Sequence, residues 1–362
     1  MKAKVRSIAI IGTAGLPSRY GGFETLAHYL TENLGADHHI TVYCPKTLKS
    51  EKLASYNGAK LRYLPFSPNG IQGILYDIVS ILESVWKHDK LLILGSGGSI
   101  ILPFLLFFKH KFCLNFGGLE WARDKWPWIA QTYLKLTECV GILFSGTIIA
   151  DNQHFVNYIS NKYGKSSSLI EYGGDHCVLE PVTASLLEKY TFLNKSYYLS
   201  VSRAQVDNNL HMVLEAFCKL PNKRLVLISN WYTSEYGKNL LKQYSMKKNI
   251  ILLDAVYDLQ ELNAIRGNCF AYIHSHSFCG TAPSLVEMMH IGKPIFCYDA
   301  NTNHYTTEEK SQYFKNSNEL VTLIQDSSLE SNSCIADNMK EIANRRYTWE
   351  TISSKYLKAM FG

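Results

Sequence analysis

No CxxC pair occurs among the nine cysteines, and the opening residues, MKAKVRSIAIIG, run straight into a strand-like segment where a secretory signal would carry a charged and then an apolar region. A reduced, cytoplasmic setting is therefore expected. Clustered positive charge is missing too: the net charge of +6 is modest and the basic residues are scattered, which argues against nucleic acid as a partner. Low-complexity stretches and short-period repeats are absent, and 46% hydrophobic with 19% charged residues describes a globular protein without a long disordered tail. The longest apolar run, SIILPFLLFF at 99–108, has half the length needed to cross a bilayer and is closed by KHKF. It reads as a core helix or, alternatively, as an amphipathic surface resting on anionic headgroups. Peripheral contact with an inner membrane is compatible with it, and spanning is not.

What is present is a regular alternation. A chain of 362 residues is too long for one ordinary core, and the domain-size prior favours two. Strand-length apolar runs alternate with helical periods. VRSIAIIG, HITVYCP, LRYLPF, LLILGS, FCLNF and TIIAD form one series, with helices such as 75–88 and 152–163 between them; YYLSVSR, RLVLISN, IILLDAV, FAYIHSH and PIFCYD form a second. This predicts an α/β protein with two doubly wound, Rossmann-like domains, 1–175 and 195–343, joined by a seam around Pro181 that lacks a strand period. Such sheets bind ligands beyond the carboxyl ends of their strands, so the two domains are expected to face each other across a cleft. The last segment, 344–362, reads as a helix crossing back to the first domain.

Several loops could carry chemistry. GTAGLPSRYGGFE, 12–24, joins the first strand to the first helix, and its glycines permit close backbone approach to a phosphate or hydroxyl at a helix N-terminus. A dinucleotide site fails there, because the spacing is not GxGxxG and the second strand ends without an acidic residue. A purely structural turn remains the alternative, but Gly21 and Gly22 beside Arg19, Tyr20 and Glu24 favour function. GSGGS, 95–99, does not match GxSxG, which leaves a serine nucleophile without support. NFGGLEWARDKW, 115–126, places Glu120 near Trp121 and Trp126, a combination suited to sugar rings. Core packing of the tryptophans with a Glu120–Arg123 helix-turn pair is the competing reading.

In the second half, Arg203 ends a strand and suits bidentate contact with a diphosphate. Then comes CGTAPSLVEMMHIGKPIFCYD, 279–299. Gly280 and Thr281 precede Pro283 at an expected first helical position, so the amides of 281–285, Ser284 included, should form an anion pocket, and Glu287 lies one turn further in, placed for a diol. A phosphate at the amides and a ribose at the carboxylate together make a nucleotide. HSHSFC, 274–279, is set aside as a metal cluster because alternate strand residues point to opposite faces and no fourth ligand is evident; His276 is read as a donor to the transferred group.

The segments GTAGLPSRYGGFET, GLEWARDKW, LIEYGGD and HSHSFCGTAPSLVEMM, in that order over nearly the whole chain, resemble the retaining GT-B glycosyltransferases of the glycogen-synthase-like superfamily (family 4). The resemblance is nearest to the rhamnosyltransferase branch of capsule and O-antigen assembly. It implies an acceptor-binding first domain, a second domain that holds a nucleoside-diphosphate sugar, and no metal or other cofactor. The acceptor it implies is a saccharide, lipid-linked or free. It also places Arg203 at the diphosphate, Glu287 at the ribose, and Gly21 and Gly22 near diphosphate and acceptor. Three positions depart from the family pattern: Cys279 stands for the first Glu of a paired-Glu motif, a change the rhamnosyltransferase branch shares; Asn208 for a diphosphate-binding Lys; and Gly117 for a polar or acidic residue, leaving Glu120 as the nearest carboxylate. A nucleotide-sugar epimerase or phosphorylase on the same fold, and a non-catalytic nucleotide-sugar-binding subunit, are the competing functions.

Overall fold

The computed structural model describes residues 4–17, 21–46, 52–123 and 126–362. They divide into two compact units, Met1–Glu171 with Trp349–Gly362, and Tyr172–Thr348.

The first unit is built on an eight-stranded sheet of β1 (Ser7–Ile11), β2 (His39–Pro45), β3 (Ser55–Tyr56), β4 (Ala59–Leu64), β5 (Lys90–Leu94), β6 (Phe112–Asn115), β7 (Thr147–Ala150) and β8 (Ser168–Leu169), in the order β3-β4-β2-β1-β5-β6-β7-β8. Among the described residues only the β3/β4 pair is antiparallel. Central strands such as SIAII and KLLIL are apolar on both faces because helices cover both. Ala9, Ile11, Leu91, Ile93, Phe112 and Leu114 make the core, the larger of these side chains contributing roughly 1.5–3 kcal/mol each by burial. The α-helices described between its strands are α1 (Gly22–Leu34), α2 (Gly70–Ser84), α3 (Trp128–Phe144) and α4 (Gln153–Tyr163). Helix α2 thus starts and ends earlier than the 75–88 expected. Right-handed crossovers put α2, the 3-10 segment Ser99–Lys111, α3 and α4 on one face, since all advance the chain from β4 towards β8, and put α1 on the other.

The second unit has six parallel strands, β9 (Tyr198–Val201), β10 (Leu225–Ser229), β11 (Ile250–Asp254), β12 (Ala271–His274), β13 (Ile295–Tyr298) and β14 (Gln312–Phe314), in the order β11-β10-β9-β12-β13-β14. Around it lie α5 (Ala184–Lys189), α6 (Leu210–Cys218), α7 (Glu235–Tyr244), α8 (Leu259–Asn268), α9 (Pro283–Ile291), α10 (Asn301–Thr307), α11 (Ser317–Asp326) and α12 (Leu329–Arg346). The stretch read as a seam carries α5 and belongs to this unit. Because α12 continues to Arg346, the return to the first unit falls at Trp349, and the expected limits of 175 and 344 move to 171 and 349.

The last helix, α13 (Trp349–Phe361), lies against α1, with the Trp349 indole stacked on Tyr29 at 4.5 Å. Its Tyr356 hydroxyl accepts from Asn115 Nδ2 at 2.6 Å, fixing the end of β6. Among the described residues no helix is long and apolar enough to cross a membrane. SIILPFLLFF is not a core helix. Pro103 lies inside it and Leu105 leaves helical geometry (φ −116°, ψ 29°), so the run is 3-10 and broken. Only Ser99 and Leu102 are fully buried there, whereas Phe104 and Phe107 stand 81% and 95% exposed.

Candidate functional site

In the second unit the carboxyl ends of β9 and β12 carry the residues singled out from sequence. Arg203 lies two residues beyond β9, exposed, in a loop held by its own backbone: the Arg203 carbonyl accepts from Gln205 N at 2.8 Å and from Asn208 Nδ2 at 2.8 Å. Asn208 is buried, so its departure from lysine has a local structural use. The β9 loop is tied to the β12 loop in turn. Ser275 Oγ donates to the Asn208 carbonyl, Asn209 Nδ2 to the Ser275 carbonyl, Ser277 N and Oγ to the Asp207 carbonyl, and Ser202 Oγ meets His276 Nε2 at 2.8 Å. Arg203 and His276 are therefore mounted on one cross-linked platform.

Helix α9 begins at Pro283 as the sequence suggests and ends at Gly292, whose φ of +73° and amide bonds to Met288 and Met289 close the last turn. The anion pocket is narrower than expected. Pro283 has no N–H, and the Leu285 amide is already bonded to the Ala282 carbonyl at 3.0 Å. Thr281 is buried, and Ser284 is turned to the buried phenol of Tyr272. Gly280 is half-buried at the mouth of the helix beside Cys279.

Glu287 is not a lone carboxylate. Its Oε2 is gripped by Arg266 from α8, and His176 Nε2 approaches Oε1 at 3.3 Å. Burial works against its charge, but the Arg266 guanidinium and then His176 outweigh this and bring its pKa down to about 2. A second Arg266 nitrogen reaches Cys177 Sγ at 3.1 Å. Arg266, His176 and Cys177 are absent from the sequence reading.

In the first unit Glu24 folds back on its own loop: Oε1 accepts from Ala14 N at 2.6 Å, and a Cβ added to Gly21 (φ +131°) would sit 1.9 Å from Oε2. Gly22 opens α1. Arg19 and Tyr20 lie outside the described residues. Glu120 pairs with Arg123 at 2.9 Å and accepts from Trp126 Nε1 at 3.1 Å, which is the helix-turn pairing weighed against a sugar site. Trp121 donates to buried Glu138 at 2.7 Å, Tyr158 and Tyr163 also donate to Glu138, and the Lys135 ammonium lies 4.5 Å above the indole ring. The Trp121 ring is thus engaged within its own unit, which weakens its assignment as a sugar-stacking face. Gly117 adopts φ +67°, and a Cβ there would meet Phe23 Cζ at 2.7 Å, so backbone and packing both require glycine.

Residues 186–343 match the family model described as "Glycosyl transferases group 1", and residues 5–175 match "Domain of unknown function (DUF1972)". The chain is a glycosyltransferase. No curated protein matches it. Among solved structures it is similar to sucrose-phosphate synthase from Thermosynechococcus elongatus (15% identity, TM-score 0.81, 98% of each chain covered). It is also similar to Anabaena HepE in complex with UDP and glucose (15%, 0.75, 98% of this chain and 99% of that one) and to a glycosyltransferase from Rickettsia africae (14%, 0.72, 99% and 98%). At these identities the likeness concerns the fold, which is GT-B.

Among the described residues of this glycosyltransferase, two groupings have metal-ligand chemistry. His274, His276 and Cys279 bring their ligand atoms within 4.8 Å of one another. The expectation that the two histidines point apart is corrected, because β12 ends at His274 and their rings lie 4.3 Å centre to centre. His274 is buried, and burial pushes its pKa down to about 3, so its ring is neutral. The second grouping, His176, Cys177 and Glu287, already encloses the Arg266 guanidinium, which occupies the cationic role. A cavity of about 350 Å³ beside the end of β11, lined by residues that include Lys189, Tyr257 and Glu261, shares none of these side chains.

Proposed function

We propose that this enzyme moves L-rhamnose, with retention, from a nucleoside-diphosphate sugar to a saccharide acceptor carried on a polyprenyl diphosphate at the cytoplasmic face of the membrane, in capsule or O-antigen assembly. One observation carries the reading: Arg203 and His276 are cross-linked through Ser202, and the α9 N-terminus follows the same β12 loop at the ligand-binding edge of a parallel sheet. A guanidinium and a helix N-terminus suit a diphosphate, and an ionised Glu287 suits the hydroxyls of a ribose. That the similar HepE is solved with UDP and with UDP-glucose favours such a donor.

In the mechanism that follows, Arg203 and the loop amides at Gly280 and Thr281 stabilise the negative charge that grows on the leaving diphosphate, the kind of electrostatic term that usually dominates. The acceptor hydroxyl attacks from the face the diphosphate leaves, so the anomeric configuration is kept without a protein nucleophile, and side chains carry the charge without a metal. His276, oriented by Ser202, donates to the sugar. Cys279 puts a small, soft thiol where most relatives place a carboxylate, an environment that accepts a deoxy sugar. Gly21 and Gly22 serve the diphosphate by backbone contact, Arg19, Tyr20 and Glu24 serve the acceptor, and Glu120 is the carboxylate for acceptor activation.

Calorimetric titration with a panel of sugar nucleotides tests this. Arg203→Ala and Glu287→Ala should each weaken donor affinity at least tenfold, and anomeric analysis of the product by NMR should report retention. Unchanged affinity in both variants would end the site assignment.

A further inference from the structure

The face of the first unit opposite α1 is unusually apolar on its outer side. Along α2 and just past its end, Ile71, Leu75, Leu82 and Trp86 recur at spacings of four, seven and four, which places them on one helical stripe, and all are exposed, Ile71 at 81% and Trp86 at 71%. The neighbouring 3-10 segment adds Phe104, Leu106 and Phe107; α3 adds Trp128, Ile129, Leu136 and Leu143. These elements adjoin. Trp86 meets Phe108 of the 3-10 segment edge-on at 4.4 Å, and α3 packs along that segment, where a Cβ at Gly141 would touch Ser99 Oγ. The crossover argument already sets all three in one layer, so their outward side chains share a surface.

Large apolar side chains gathered on one layer mark an interaction surface, whereas scattered ones do not. The charge around this one decides what it meets. From Lys90 to Leu119 the chain contains no carboxylate. Among the described residues none of Lys90, Lys109, Lys111 and Lys135 has a carboxylate partner; Lys90 and Lys111 donate to backbone carbonyls, which do not neutralise an ammonium group. A second copy of the same face would set lysine against lysine. An anionic bilayer offers the complement to both features at once: headgroup phosphates for the lysines and an acyl boundary for phenylalanine and tryptophan.

We propose that the outer face formed by α2, the Ser99–Lys111 segment and α3 docks this enzyme on anionic lipid bilayers, with Phe104 and Phe107 inserted and the flanking lysines at the headgroups. The inference rests on the membrane-face part of the reading above and not on the donor site. Cosedimentation of the full chain with vesicles tests it. Binding to phosphatidylglycerol-rich vesicles should exceed binding to phosphatidylcholine vesicles at least tenfold and fall several-fold between 50 and 500 mM salt. The F104S/F107S variant, whose changes lie on the surface, should lose at least tenfold in partition while keeping the wild-type circular dichroism spectrum and donor titration. Equal binding to both vesicle types, or undiminished binding by F104S/F107S, would overturn the proposal. So would a concentration-dependent dimer that this variant abolishes, because the occupant would then be a second copy. A donor titration that fails while vesicle binding persists would instead count against the sugar-nucleotide reading alone.

Discussion

Arg266 on α8 and Glu287 on α9 form a buried ion pair, and the same guanidinium turns its other nitrogen to Cys177. Two helices that flank β12 are thereby held together at the carboxylate proposed above to meet the ribose. Removing one partner leaves the other as an uncompensated charge. Arg266→Ala should therefore cost about 3–5 kcal/mol in urea unfolding. Its donor affinity should fall as well, because Glu287 loses the group that orients it. A variant with wild-type stability would show that the pair is not formed.

Asn208 predicts a second outcome. A lysine, the residue the family resemblance leads one to expect, cannot reproduce the bond from Asn208 Nδ2 to the Arg203 carbonyl and would be buried with its charge. Asn208→Lys should lower stability and weaken donor binding. Asn208→Ala, which removes only the bond, should cost about 1 kcal/mol. If Asn208→Lys instead raised donor affinity, the loop would be less committed than its hydrogen bonds indicate.

The pH dependence of the first unit should reflect Asp77. This carboxyl lies under the glycine loop that follows β5, its Cβ only 2.4 Å from where a Gly98 Cβ would stand. Burial pushes its pKa up to about 7, against a partial pull from the Gly98 amide. Between about pH 4 and 7 the unfolded chain has ionised Asp77 while the folded chain keeps its proton. The unfolded state then binds fewer protons, so the Asp77 contribution to stability declines as pH rises through that window and levels off above it. Asp77→Asn should therefore raise Tm at pH 8 by about 3 °C more than at pH 5. Equal shifts at the two pH values would count against a protonated carboxyl.

Gly117 should not tolerate the acidic side chain that the family resemblance leads one to expect there. Its φ of +67° and the contact with Phe23 make Gly117→Asp unfavourable by about 1–3 kcal/mol from backbone strain alone. Thermal unfolding reads this directly. A gain in stability or in transferase rate from Gly117→Asp would mean that the glycine is a loss and not an adaptation.

Much of the second unit was legible because its signals are local. Proline at the first position of α9 and Gly292 at its end are grammar that a reader meets within nine residues, and Arg203 is marked by the strand that ends just before it. Partners brought in by folding left no such mark. Cys177 is 89 positions from Arg266, and His176 lies in the stretch read as a seam. One signal was open to use: Arg266 is one turn from Leu262 and Asn263 on the inward side of α8, and a buried arginine must have an acidic partner. The apolar run at 99–108 was misleading for a different reason. Its composition suits a core, but Pro103 and the kink at Leu105 deny it a continuous helical face, so Phe104, Leu106 and Phe107 are turned to solvent.

The bond between Asn115 and Tyr356 has a bearing on how the chain is made. A unit whose strands are complete by Leu169 still waits for Trp349–Phe361 to seat Trp349 on Tyr29 and Tyr356 on Asn115. During synthesis the ribosome releases the whole of Tyr172–Thr348 in between. The first lobe to be translated is thus the last to be finished, and the second must fold with its elder neighbour still open along α1.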